Sequence, residues 1–167
     1  VIGSVIQGDN DVDGITLNPG SYTSSTINGN AGDDTITVNA ITGFTGSTVF
    51  GGAGDDTITA ATAGVGVAIS GDDGADILVG SAFADTIIGG AGNDTITGGL
   101  LADTMTGGAG VNTFSFTGAV FGNLATGVVD VITDFKAGAV GTGDVIDWNR
   151  TVIGTITGVE DATNWAG

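Results

Sequence analysis

The sequence predicts an all-β chain: a right-handed parallel β-roll with two nine-residue units per coil, closed by a β-rich C-terminal capping segment. Three observations carry that expectation. Five nine-residue units follow one another without a gap over 71–115: GDDGADILV, GSAFADTII, GGAGNDTIT, GGLLADTMT and GGAGVNTFS. A fixed period this short sets the architecture before any local propensity does. The last three residues of the best copies, Thr-Ile-Thr, alternate polar, apolar, polar, which is strand periodicity. Gly supplies the tight turns between them, and the chain holds 33 Gly but one Pro, with no Gly-x-y triplet of the collagen kind.

The elements follow in order. Residues 1–7 read as a lead-in strand. The frame G-G-x-G-x-D-x-U-x, with U a large apolar residue, then runs over 8–115. Upstream of the unbroken block it fits GDNDVDGIT (8–16), GNAGDDTIT (29–37) and GGAGDDTIT (51–59). These copies stand 20 to 22 residues apart because a degenerate unit fills each interval: GSYTSSTIN (20–28), TGFTGSTVF (42–50) and TAGVGVAIS (62–70). The short inserts LNP, VNAI and AA separate the two halves. Coils therefore begin at 8, 29, 51, 71, 89 and 107. One flank carries Asp13, Asp34, Asp56, Asp76, Asp94 and Asn112 at the sixth position. The other carries Ser25, Ser47, Val67, Asp85 and Asp103. The inward column is Ile15, Ile36, Ile58, Leu78, Ile87, Ile96, Met105 and Phe114, with Ile27, Val49 and Ile69 opposite. One unit alone cannot bury such a face, whereas stacked coils can. Residues 116–167 are not repetitive and read as a cap, since a bare coil end exposes strand edges and core.

The spacing explains the Asp residues. Stacked strands lie about 4.7–4.9 Å apart, so sixth-position carboxylates on one flank line up at close range. Each neighbouring pair repels by roughly 1 kcal/mol in water and several-fold more at lower dielectric. Ca²⁺ takes six to eight oxygens at about 2.3–2.6 Å, so two oxygens across one ion match the coil spacing. The candidate metal ligands are Asp13, Asp34, Asp56, Asp76, Asp94 and Asn112 on one flank and Asp85 and Asp103 on the other. Asp11 and the turns at Gly32, Gly52, Gly54, Gly74, Gly90 and Gly92 are added as sources of further oxygens. Several Ca²⁺ ions are expected, with binding coupled to folding. Two other readings of acids stay open. Asp9, Asp11, Asp13 and Gly14 fit the start of an EF-hand loop, although its twelfth position is Gly20 rather than Glu. Asp33, Asp55, Asp72 and Asp73 fit plain Asx turns. The Thr residues at positions seven and nine suit strands and also offer a surface to a ligand.

GGAGDDTIT and GGAGNDTIT resemble the consensus of the RTX (repeats-in-toxin) calcium-binding β-roll family, over about 8–115. The resemblance implies a β-roll, Ca²⁺ held between successive turns on the same flank, and export through a type I secretion channel. The chain departs from the family pattern where the first three coils carry no Asp on one flank, where Asn112 replaces Asp, and where GDNDVDGIT lacks the Gly pair. The stretches VVDVITDFKAG (128–138) and GDVIDW (143–148) resemble the segment after the roll in serralysin-type proteases and mannuronan epimerase R-modules. Asp130, Ile132, Asp134, Phe135, Asp144, Ile146 and Asp147 agree with that pattern, and Trp148 replaces Leu. There the segment closes the open end of the roll; Asp134 and Asp144 either cap it or hold a further ion.

Composition narrows the function. Nineteen acids stand against two bases, Lys136 and Arg150, for a net charge of −17. That balance argues against nucleic acid and against an anionic membrane surface, and it implies a cationic partner. The longest fairly apolar stretch, 114–132, is broken by Gly, Thr, Asn and Asp, so no membrane span is expected. With no His and no Cys, Ser-His, Cys-His and the usual zinc chemistries are missing, and carboxylate-pair glycoside chemistry would need acids already placed for calcium. The expectation is a non-catalytic Ca²⁺-binding module of an exported bacterial protein, extracellular or on the cell surface, structural and self-assembling as in a surface layer, adhesin or filament. The alternative is the C-terminal secretion and folding domain of a larger exported hydrolase, epimerase or toxin. Partners expected are calcium, copies of the chain or a parent-chain domain, and cell-surface polysaccharide. VIGSVIQGDN shows no initiator Met and no signal peptide, which suggests a piece of a larger chain.

Overall fold

Alternation of β-branched and small residues gives short strands, and glycine turns reverse them every half coil. A computed structural model describes residues 2–116, 129–139 and 141–147, and no helix occurs among them. The strands are β1 (Val5–Gln7), β2 (Gly14–Leu17), β3 (Thr26–Ala31), β4 (Thr35–Asn39), β5 (Thr48–Ala53), β6 (Thr57–Thr62), β7 (Ala68–Asp73), β8 (Ile77–Val79), β9 (Thr86–Ala91), β10 (Thr95–Thr97), β11 (Thr104–Ala109), β12 (Thr113–Ser115), β13 (Val131–Ile132) and β14 (Val145–Asp147). They form two seven-stranded sheets, β1-β3-β5-β7-β9-β11-β13 and β14-β12-β10-β8-β6-β4-β2. Every named pairing is parallel. Odd and even strands alternate between the sheets, so the chain winds as a solenoid, the expected β-roll.

Register follows the repeat. Ile36 stacks on Ile15 and under Ile58, then Leu78, Ile96 and Phe114. Across the roll Ile27, Val49, Ile69, Ile87 and Met105 stack in the same way. Nearly all these side chains are fully buried; Ile15, in the first coil, is partly so. Burial of each contributes about 1.5–3 kcal/mol. The inserts of the early coils lengthen strands rather than forming loose loops. β2, β4 and β6 run on to add a second inward column, Leu17, Val38 and Ala60. The extra alanine of β6 shifts its register between Thr37 and Asn39 of β4.

The segment after the repeats supplies two further rungs. Val131 and Ile132 stack on Thr104 and Met105, and Val145, Ile146 and Asp147 stack on Thr113, Phe114 and Ser115. Phe135 packs against Phe114 with ring centroids 6.3 Å apart. Residues 117–128, 140 and 148–167 of the segment expected to cap the roll, Trp148 and Arg150 among them, lie outside the described residues. Among the described residues no helix is long and apolar enough to cross a membrane.

Core and surface isoleucines separate cleanly in this register. Ile58→Ala, at a fully buried site, is expected to cost about 2–5 kcal/mol. Ile77→Ala, outward and 49% exposed, is expected to stay within about 0.5 kcal/mol of the parent. Denaturant unfolding of the calcium-saturated chain measures both.

Candidate metal centre

The turns between the sheets place the sixth residue of each unit with its side chain turned into the roll. Asp34, Asp56, Asp76 and Asp94 on the first flank, and Asp85 and Asp103 on the second, are all buried. The sheets explain this: stacking in register puts each carboxylate beside the backbone of the neighbouring coil. One oxygen of each acid accepts the N–H of the sixth residue in the coil before it. On the first flank Asp13 N–H donates to Asp34 at 2.7 Å, Asp34 to Asp56 at 2.8 Å, Asp56 to Asp76 at 2.8 Å, and Asp76 to Asp94 at 3.0 Å. The line continues from Asp94 to the Asn112 side-chain oxygen at 3.0 Å and from Asn112 to Asp144 at 2.9 Å. On the second flank Val67 N–H donates to Asp85 at 2.7 Å, Asp85 to Asp103 at 2.9 Å, and Asp103 to Asp130 at 2.9 Å.

The other oxygen is the informative one. The Oδ2 atoms of Asp34, Asp56, Asp76, Asp94 and Asp103 are buried without a hydrogen-bond partner. Each lies against the first glycine of its own unit, Gly29, Gly51, Gly71, Gly89 and Gly98, where a Cβ would collide with it. An orphaned anionic oxygen in a dry turn is costly. Burial raises the Asp56 carboxyl from 3.8 to about 6 and the Asp76 and Asp103 carboxyls to about 7. Burial likewise pushes Asp85, Asp94 and Asp130 up. Neighbouring carboxylates add to the rise at Asp56, Asp76 and Asp103.

The turn backbones stack as tightly. Gly32, Gly52, Gly54, Gly74, Gly90 and Gly92 all have positive φ, from 121° to 140°. The carbonyl oxygens of Gly32, Gly54, Gly74 and Gly92 each stand where a Cβ of the next coil's fourth residue would be, and the Gly90 carbonyl meets Gly108 in the same way. No three Asp, Glu, His or Cys residues converge as a metal-holding group among the described residues. Each turn thus offers one buried sixth-position carboxylate, and further oxygens have to complete any shell. This donor set is all oxygen and carries net charge, so it fits a hard divalent cation such as Ca²⁺.

The predicted positions are not equivalent. Asp13 is partly exposed and closes its own turn by accepting the Asp9 N–H at 2.7 Å. Asp11 is exposed, its N–H on Asp9. The EF-hand reading fails here, because Gly14–Leu17 of the required loop form β2 and pair with β4. Asp85 accepts both the hydroxyl and the N–H of Ser81, so neither of its oxygens is orphaned. Asn112 keeps the ladder bond, but its other arm is an unpartnered amide nitrogen, a donor that cannot bind a cation. Asp33 and Asp55 differ from the Asx-turn expectation: they bridge coils, accepting the Asp55 and Ala75 N–H groups at 2.9 and 2.8 Å. In-register stacking brings the next coil's N–H nearer than their own. Asp134 ties the segment to the last glycine turn, its two oxygens taking the N–H groups of Gly107 and Gly108 at 2.8 and 2.7 Å. Asp144 accepts the N–H groups of Asn112 and Lys136 at 2.9 and 2.8 Å, one on each oxygen.

Asp130 is the column member that spacing missed. A signal was present: Asp130-x-Ile132 and Asp144-x-Ile146 keep the sixth-to-eighth spacing of the repeat, although both lack the glycines that make a unit conspicuous.

Comparison with known families supports the same segments. Residues 19–40, 42–61 and 70–105 match the family model of the RTX calcium-binding nonapeptide repeat, in four copies. No curated protein and no solved structure matches the chain.

Two outcomes are expected. Asp76→Asn, which copies the natural Asn112, should keep the ladder bond and lose bound calcium, read by isothermal titration as a lower stoichiometry. The second concerns pH. The folded-state carboxyls at about 6 and 7 lie above the unfolded value of 3.8, so the calcium-free fold holds protons more tightly than the unfolded chain. Its stability is therefore greatest below about pH 4 and falls as pH rises to about 7. Acidifying the calcium-stripped chain from pH 8 to pH 5 should increase its far-UV β signal, and calcium affinity should weaken over the same window.

Proposed function

Because the matched segments belong to the RTX calcium-binding nonapeptide repeat family, whose repeats bind Ca²⁺ at multiple sites, we propose that this chain is a non-catalytic module of an exported bacterial protein that folds on calcium outside the cell and serves a structural, self-assembling role. The observation that carries the reading is the set of orphaned buried carboxylate oxygens on Asp34, Asp56, Asp76, Asp94 and Asp103. Inside an exporting cell, where free calcium is scarce, these acids oppose folding by desolvation and mutual repulsion. Outside, calcium removes both penalties at once, so the metal acts as the folding switch. In this reading each ion takes the free oxygen of a sixth-position Asp, with carbonyls of the glycine turns at Gly32, Gly52, Gly54, Gly74, Gly90 and Gly92 completing the shell. Asp13, Asp85 and Asp11 take secondary parts, since Asp13 and Asp85 are already hydrogen-bonded within their own turns and Asp11 is exposed.

The structural role draws on the shape of the charge. The acids gather in the flanking turns, while the outward rows of the second sheet, Thr35, Thr57, Ile77, Thr95 and Thr113 beside Thr37, Thr59, Val79 and Thr97, carry none. This neutral face, over β4 to β12 of that sheet, suits packing against copies or a neutral glycan. A second reading, the secretion and folding domain of a larger exported hydrolase, epimerase or toxin, is favoured by the way Asp130 and Asp144 continue the two columns into the segment that resembles serralysin and epimerase flanks.

Calcium titration from a chelated start, with Mg²⁺ as control, is expected to give a cooperative rise in β signal for calcium alone. Light scattering at saturating calcium should show particles larger than the monomer. A β signal indifferent to chelation would sink the calcium switch, and a strict monomer would sink self-assembly.

A further inference from the structure

The roll is not uniform along its axis. Up to β7 the second flank is filled with apolar side chains: Tyr22, Ile41, Phe44, Ala63 and Val67 are buried there, with Val65 packed against them. The second inward column, Leu17, Val38 and Ala60, exists only in these coils. After Ile69 the buried apolar side chains among the described residues reduce to Leu78, Ile87, Ile96, Met105 and Phe114. The polar bonding changes in parallel. In the early coils the sixth position is served by neutral hydroxyls: Ser25 N–H donates to the Ser47 hydroxyl at 2.9 Å, and that hydroxyl donates to the Tyr22 carbonyl at 3.0 Å. The flank backbone is itself laddered, Tyr22 N–H to Gly43 at 2.8 Å, Ser24 to Thr45 at 2.9 Å, Thr42 to Gly20 at 2.7 Å and Gly64 to Ile41 at 3.0 Å. In the later coils both flanks turn buried carboxylates inward, Asp76 and Asp94 on one and Asp85 and Asp103 on the other.

We propose that residues 15–70 form a calcium-independent nucleus, and that calcium zips the later coils onto it one turn at a time. The inference rests on the calcium reading above and divides the roll within it. The early coils replace metal on one flank with an apolar plug and a serine ladder, so only Asp34 and Asp56 oppose their folding through orphaned oxygens. The later coils have a thin core and acids on both sides, so they cannot stand without the ion. The nucleus supplies the edges of β7 and β6 as a template, which removes the nucleation cost of each added turn.

The test is hydrogen exchange with mass spectrometry on the full chain, in chelator and in saturating calcium at neutral pH. In chelator the amides of β3, β5 and β7 are expected to exchange at least about tenfold more slowly than in the unfolded chain, while those of β9 to β12 exchange freely; calcium then protects β9 to β12. Protection absent everywhere in chelator and gained everywhere in calcium overturns the nucleus but leaves the calcium reading intact. Protection that calcium does not change overturns both. Phe44→Ser should abolish the chelator-state protection of β3 and β5. Met105→Ala should leave it untouched, which separates loss of the nucleus from general damage to the roll.

Discussion

Register is the constraint on which the whole molecule depends. Parallel strands about 4.8 Å apart, one coil above the next, place identical residues on top of each other, so any property of one side chain becomes a property of a column. Apolar residues gain from this and close a core one side chain wide. Carboxylates lose from it. The structure resolves the conflict by halves: each sixth-position Asp ties one oxygen to the backbone of the coil before it, as Asp56 does with the Asp34 N–H at 2.8 Å, and leaves the other buried without a partner. The tied oxygen fixes where the free one points. In the folded roll the ladder bonds therefore hold the free oxygens of successive coils in a common direction.

The same constraint explains the glycines. At the first position a side chain would strike the free carboxylate oxygen of its own unit; at the second and fourth it would strike a carbonyl of the preceding coil. Glycine is demanded by crowding as well as by the turn angle. Asn30 and Asp72, which hold second positions at φ of 82° and 75°, mark where the turn tolerates a side chain because its own polar group is engaged: the Asn30 amide donates to the Gly8 carbonyl at 2.6 Å, and Asp72 accepts the Ser70 hydroxyl at 2.6 Å.

Much of this was legible in the sequence because period and chemistry coincide. Ile36, Ile58 and Ile96 announce the inward column, and the nine-residue frame names Asp34, Asp56, Asp76, Asp94 and Asp103 directly. What could not be read is what depends on a neighbour one coil away. Asp33 and Asp55 look like local turn formers and bond across coils instead. Asp85 shares the frame of Asp103, yet Ser81 satisfies it. Asp130 belongs to a column but stands after an insertion that hides the frame. Tyr22, Phe44 and Val67 occupy units that lack the Gly pair and the sixth-position Asp, and only the fold shows that they fill the space that acids line elsewhere.

The clasp at the C-terminal end bears on length. Asp134 takes the N–H groups of Gly107 and Gly108, Lys136 reaches the Gly108 carbonyl, and the Lys136 carbonyl accepts the Asp144 N–H at 2.8 Å. The Asp134 and Lys136 side chains reach the last glycine turn, Gly107 and Gly108, and no earlier one. Internal coils touch only their neighbours, so a unit duplicated between them lengthens the rod and carries the clasp along unchanged. The clasp thus works as a portable full stop: its side-chain contacts to Gly107 and Gly108 mark one coil as last and do not depend on how many precede it.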